Sequence, residues 1–220
     1  MPRPLLASGA VAGLLLVACA ATLGAQAAHR PANWRAAHDV AGLPDSALAF
    51  VTMPPGWHVT ATATGGVLWE PGRAAGRAFR LESEQYLFSL APGAGTGLVV
   101  GGQALGGADA RWTAFVVGPD GRYRVVRRDG ATTRELVPWT AHAAIPPHEV
   151  GKPNVRLLMT VAAEGDAVRF LVNGAAVAEL PRADVMPDGV VGFRLEPGAN
   201  AHVATFTLDG KNVAPTGSAH

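Results

Sequence analysis

Residues 154–180 read NVRLLMTVAAEGDAVRFLVNGAAVAEL and residues 189–210 read GVVGFRLEPGANAHVATFTLDG, with a proline-containing break between them. Apolar side chains recur at every second position: Val155, Leu157, Met159 and Val161, then Val168, Phe170 and Val172, then Val191, Phe193 and Leu195. A period of two puts each set on one face of a pleated strand, the pattern of a sheet with one side in a core. Glu164-Gly165-Asp166, Asn173-Gly174 and the later Gly and Pro breaks supply turns. The stretch therefore predicts four antiparallel strands joined by tight connections.

The same signals continue upstream. A strand is predicted over 47–52 and ends at Pro54-Pro55-Gly56, where restricted φ and missing N–H groups stop a ladder. Further strands are predicted over 57–62, 66–69, 79–90, 97–103, 111–117, 123–128 and 133–137, with Pro119-Asp120-Gly121 closing a hairpin. Residues 28–46 read as a loosely ordered entry segment with one short helical turn over Trp34 to Val40, and 138–153 as a long irregular loop carrying Trp139, His142 and His148. The polar tail 211–220 is expected to be disordered. With no amphipathic helix of useful length, the fold class is all-β: one antiparallel β-sandwich over 47–210.

A chain of 220 residues, 49% apolar, suffices for one such core. A formal net charge of +1 creates no field that would draw nucleic acid or an anionic membrane surface, so no nucleic-acid partner is expected. The N-terminus carries Arg3, an apolar run to Leu23 and the small-x-small triplet Ala25-Gln26-Ala27, the layout of a secretory leader over 1–27. This predicts a periplasmic or secreted protein beginning at Ala28, without a membrane span in the mature chain. Leu16-Val17-Ala18-Cys19 offers the alternative of a lipoprotein anchored through Cys19. Cys19 is the only cysteine, so a disulfide framework is not expected.

The runs PPGWHVTATATGGVLWEP, GRAFRLESEQYLF, GLVVGGQAL and WTAFVVGPDGRYRVVRRDG, together with the C-terminal strands, resemble bacterial secreted concanavalin A-like and laminin-G-like β-sandwich domains. That group includes the family of previously unknown function linked to 3-keto-disaccharide hydrolases. The resemblance covers roughly Leu48 to Asp209, and implies a concanavalin-like jelly roll. Its functional implications are glycan binding or glycoside cleavage.

Candidate site residues follow from alternation on 79–88. Arg80, Glu82, Glu84 and Tyr86 share one strand face. Paired carboxylates beside an aromatic are what glycoside hydrolysis needs, one to protonate the leaving oxygen and one to attack or activate water, so Glu82 and Glu84 are the catalytic alternative. Laminarinase-type relatives of the fold place a third acid where this chain has Tyr86. The plainer reading is a solvated face on which Arg80 and Arg124 or Arg127 neutralise the glutamates. Exposed indoles stack on sugar rings, which makes Trp139 a candidate at the rim of that face, while Trp57 and Trp69 are expected in or against the core. The seven histidines show no metal-ligand spacing, no catalytic serine elbow is present, and no cofactor or metal is expected. Three functions remain open: a non-catalytic module binding a glycan or cell-envelope component at Arg80, Glu82, Glu84, Tyr86 and Trp139, a glycoside hydrolase, and a structural module.

Overall fold

Alternation between buried and partly exposed positions runs through the strands Leu48–Thr52, Trp57–Ala61, Phe79–Leu87, Ala167–Val172 and Asn200–Val203, and through most of Val155–Glu164, in the computed structural model, which describes residues 30–212. Among these residues the strands form two antiparallel sheets. The first has seven strands in the order β1 (Arg35–His38), β4 (Gly66–Ala75), β13 (Gly189–Leu195), β6 (Thr96–Gln103), β7 (Arg111–Val117), β8 (Arg122–Asp129) and β9 (Thr132–Ala141). The second runs β12 (Ala175–Pro181), β11 (Ala167–Val172), β10 (Val155–Glu164), β5 (Phe79–Leu87), β14 (Asn200–Val203), β3 (Trp57–Ala61) and β2 (Leu48–Thr52). Two short strands, β15 (Thr207–Leu208) and β16 (Lys211–Asn212), extend it beside β5. The single α-helical turn described, α1, covers Arg182–Val185.

The core lies between the sheets. Leu157, Met159 and Val161 of β10 and Phe170 of β11 meet Leu98, Phe115, Val125 and Phe193 of the opposite sheet in one buried cluster. At one end, Trp57 packs edge-on to Phe193 with ring centroids 4.8 Å apart, and Phe193 lies 4.2 Å from Phe206. The hairpins form where the turn chemistry placed them. Asn173 and Gly174 both adopt positive φ (52° and 84°) between β11 and β12, as a two-residue turn requires. Gly121 does so (77°) between β7 and β8.

Two segments differ from the sequence expectation. The helical turn expected over Trp34 to Val40 is instead strand β1, whose residues Arg35 to His38 pair with Trp69 to Gly66 at the sheet edge. Trp34 is 1% exposed and lies 5.4 Å from Trp57, so an edge ladder and a buried indole override the weak local signal. Likewise, β9 continues through Pro138 and Trp139 to Ala141, where a loop was expected to start. Its position at the sheet edge tolerates the proline, and the register shifts between Tyr123 and Val126 absorb the irregularity. The leader residues and the tail beyond Asn212 lie outside the described residues.

Candidate ligand-binding site

On β5, the expected alternation holds: Phe79, Leu81 and Leu87 face the core, and Arg80, Glu82, Glu84 and Tyr86 lie together on the outer face. Ser83 and Gln85, buried on the inner side, satisfy one another through Gln85 Nε2 donating to Ser83 Oγ (3.1 Å) and Thr96 Oγ1 donating to Gln85 Oε1 (2.8 Å). Outside, the four residues are tied down pairwise. Arg80 donates to Glu82 (2.7 Å), while Arg156 from β10 and the Tyr86 hydroxyl both donate to Glu84 Oε1 (2.7 Å each). The hydrogen bond from Arg80 holds the Glu82 carboxyl below its ordinary range, and those from Arg156 and Tyr86 do the same for Glu84, in both cases against the opposing effect of burial. A general acid needs the reverse shift. The ion partners are Arg80 and Arg156; Arg124 and Arg127 belong to the other sheet.

Trp139 is not at the rim of this face. It sits on β9 of the seven-stranded sheet, packed against a second apolar cluster of Trp69, Val99, Trp112, Ala114, Val116 and Val126. These residues alternate with the core-facing Val100, Phe115, Val117 and Val125, so the cluster covers the outer face of that sheet. The expected grouping of Trp139 with Tyr86 therefore fails, because extending β9 carries Trp139 onto the opposite side of the sandwich. Trp57 is in the main core, and Trp69 belongs to the outer cluster.

Built on this second cluster is a charged network that the sequence reading did not assign. On β13, Phe193 and Leu195 point inward, which turns Arg194 outward, with Glu196 just beyond the strand end. Arg194 and Glu196 are only 5% and 4% exposed. The Arg194 guanidinium grips Asp39 as a two-pronged fork, with Nη1 and Nη2 each 2.5 Å from a carboxylate oxygen, and donates to Glu196 from Nε and Nη2 (3.2 Å each). Burial by itself would lower the Arg194 pKa, yet the bonds to Asp39 and the charges of Glu196 and Asp39 leave it raised. Arg124 on β8 donates to Glu196 (2.6 Å) and lies 5.0 Å over the Trp139 ring, as Arg194 lies 5.3 Å over Trp112. Gly65 makes the fork possible: a Cβ there would stand 2.5 Å from Asp39 Oδ2 and 2.8 Å from Arg194 Nη2.

A pocket of about 320 Å³ opens over this network, lined by Asp39, Trp112, Arg124, Arg128, Thr133 and Arg194 among others. The volume is in the range of small-molecule sites. The larger hollows, about 460 Å³ beside Arg80 and Arg169 and about 580 Å³ beside α1, present no indole. His142 and His148 are used locally: the Ala144 N–H donates to His142 Nδ1 (3.1 Å), and His148 Nδ1 lies 2.8 Å from the Ser89 carbonyl. Among the described residues, no three His, Cys, Asp or Glu side chains converge as a metal centre requires.

No protein-family model matches the chain, and no curated protein matches it. Solved structures do. The carbohydrate-binding module CBM66 from Bacillus subtilis superposes with a TM-score of 0.60 at 13% identity, covering 81% of this chain and 96% of that one. A protein of unknown function with a galectin-like fold from Bacillus subtilis gives 0.56 at 12%, covering 83% and 91%. A glycoside hydrolase family 16 endo-glucanase from Bacteroides ovatus gives 0.56 at 7%, covering 80% and 94%. Such identities speak to fold alone, and the fold is a concanavalin-like jelly-roll β-sandwich.

Proposed function

We propose that this protein is a non-catalytic glycan-binding β-sandwich, and that its site is the pocket on the outer face of the seven-stranded sheet. One observation carries the reading: the pocket brings guanidinium and carboxylate groups already immobilised by one another together with an apolar part of the lining, the mostly buried Trp112 and Val126. Sugar recognition needs fixed hydrogen-bonding groups for the hydroxyls beside an apolar surface for the C–H faces. Because Arg194, Asp39 and Glu196 hold each other, little side-chain freedom is lost on binding. Support also comes from the carbohydrate-binding and glucan-cleaving proteins among the structural neighbours.

Hydrolysis is the less favoured alternative. It needs one carboxyl that keeps its proton and a second that is free to attack or activate water. Glu82 and Glu84 are both arginine-paired and held low, and in the pocket Asp39 and Glu196 share Arg194.

Glycan-array screening followed by calorimetry tests the reading. Arg124→Ala, which removes a group lining the pocket, should weaken binding of the ligand that the wild type retains about tenfold or more, the loss expected of a binding hot spot. Tyr86→Ala, on the opposite face, should bind as the wild type does. Loss in Tyr86→Ala alone would move the site to the nine-stranded sheet. Release of reducing sugar from the bound glycan would restore the hydrolase.

Export through the leader over 1–27 is part of the same proposal. Intact-mass measurement of the native protein should give a chain beginning at Ala28, and a lipid-modified Cys19 would replace that expectation with an anchored form.

A further inference from the structure

The pocket's hydrogen-bonding groups are unequally committed. Each carboxylate near it already accepts from a guanidinium: Asp39 from Arg194, and Glu196 from both Arg194 and Arg124. Glu135, half exposed at the edge, approaches Arg124 only to 3.6 Å. The donors are in surplus. Arg128, which lines the pocket, spends its Nε on the Gly130 carbonyl (2.9 Å), and among the described residues no ion pair engages its two terminal amines. Its neighbour in sequence, Asp129, is taken by Arg111 and Arg127. Arg124 Nε is buried with no acceptor among the described residues. Three guanidinium groups and one carboxylate therefore line the cavity, with Trp112 as its indole.

We infer that the sugar taken by this pocket is acidic, a uronic acid whose carboxylate is received by the Arg128 fork while its ring lies toward Trp112. The inference rests on the glycan reading above and deepens it. A planar guanidinium with two parallel N–H donors matches a carboxylate better than it matches a scattered set of hydroxyls. The committed carboxylates leave the incoming charge without a free anion to repel it: Asp39, the one acid in the lining, is held by both amines of Arg194.

The test is calorimetric titration of the full chain with uronate oligosaccharides (galacturonate, mannuronate and glucuronate series), the methyl esters of the same oligosaccharides, sulfated neutral oligosaccharides and plain neutral ones. The inference expects one uronate series to bind, its ester to bind about tenfold or more weakly, and that preference to vanish in both Arg128→Ala and Arg128→Gln. The second variant keeps the side chain's bulk, and near-ultraviolet circular dichroism establishes that each variant is folded. Affinity for the uronate should also fall with added salt. Equal binding of uronate and ester, or a preference for sulfated sugar, overturns the acidic-sugar inference and leaves the glycan reading standing. Failure of every sugar, charged or neutral, overturns both.

Discussion

Arg194 is the residue on which the pocket depends. At 5% exposure it is a charge removed from water, tolerable because Asp39 and Glu196 accept its hydrogen bonds. Arg194→Ala would leave Glu196, 4% exposed, with Arg124 as its remaining ion-pair partner, and should lower stability by about 3–5 kcal/mol in urea unfolding. Arg194→Lys should recover only part of this, since an ammonium cannot hold both Asp39 oxygens in a fork. Gly65→Ala tests the same geometry without touching a charge. The new methyl would fall 2.5 Å from Asp39 Oδ2 and 2.7 Å from the Leu195 carbonyl, so the fork must open, and sugar affinity measured by calorimetry should drop with the net charge unchanged. At His202, on the other sheet, burial lowers the imidazole below its ordinary 6.5, with His58 adding to the shift and the Pro55 carbonyl opposing it. The unfolded chain then binds the proton more readily, so this contribution to stability is full above about pH 6.5 and is lost as pH falls through the lower folded value. His202→Gln should therefore shrink the difference between urea midpoints measured at about pH 7.5 and about pH 5.

Among the elements, β1 contributes to both the fold and the site. Its preceding residue Trp34 is buried between the sheets, its four residues close the edge of the seven-stranded sheet, and the next residue, Asp39, reaches Arg194. Trp34→Ala should destabilise the protein by about 3–5 kcal/mol, as for other large-to-small core changes, and a thermal melt compared with the wild type checks this. A loss near zero would mean that β1 is not part of the packed sandwich. This element was also the hardest to read from sequence. Four residues, Arg-Ala-Ala-His, carry no β-branched or aromatic pattern, and pairing with Val67 and Leu68 thirty residues away decides their conformation. The strands whose apolar residues recur at every second position, β5, β10 and β11, were legible because one face must be buried. For the same reason, Arg80, Glu82, Glu84 and Tyr86 were correctly placed on one face of β5. The pocket was not legible as a unit. The outward turn of Arg194 and Arg124 was implicit in the inward Val191, Phe193, Leu195 and Val125, but the meeting of β8, β13 and the residue after β1 depends on sheet order.

At the scale of the whole molecule, the two outer faces of the sandwich differ in kind. On the nine-stranded sheet, ion pairs such as Arg80–Glu82 and Arg156–Glu84 lie at the surface, where water screens them and each cation has its own anion. On the seven-stranded sheet, an apolar layer carries the charges above it, so Arg194 and Glu196 are shielded and the pocket's donors outnumber its free acceptors. The central claim is that the second face, not the first, holds the sugar. Titrating an isotope-labelled sample with the bound oligosaccharide and following the indole and arginine Nε–H resonances by NMR tests it most directly. The account predicts shifts at Trp112, Arg124, Arg128 and Arg194, with Arg80 and Arg156 unmoved; shifts confined to Arg80 and Arg156 would contradict it.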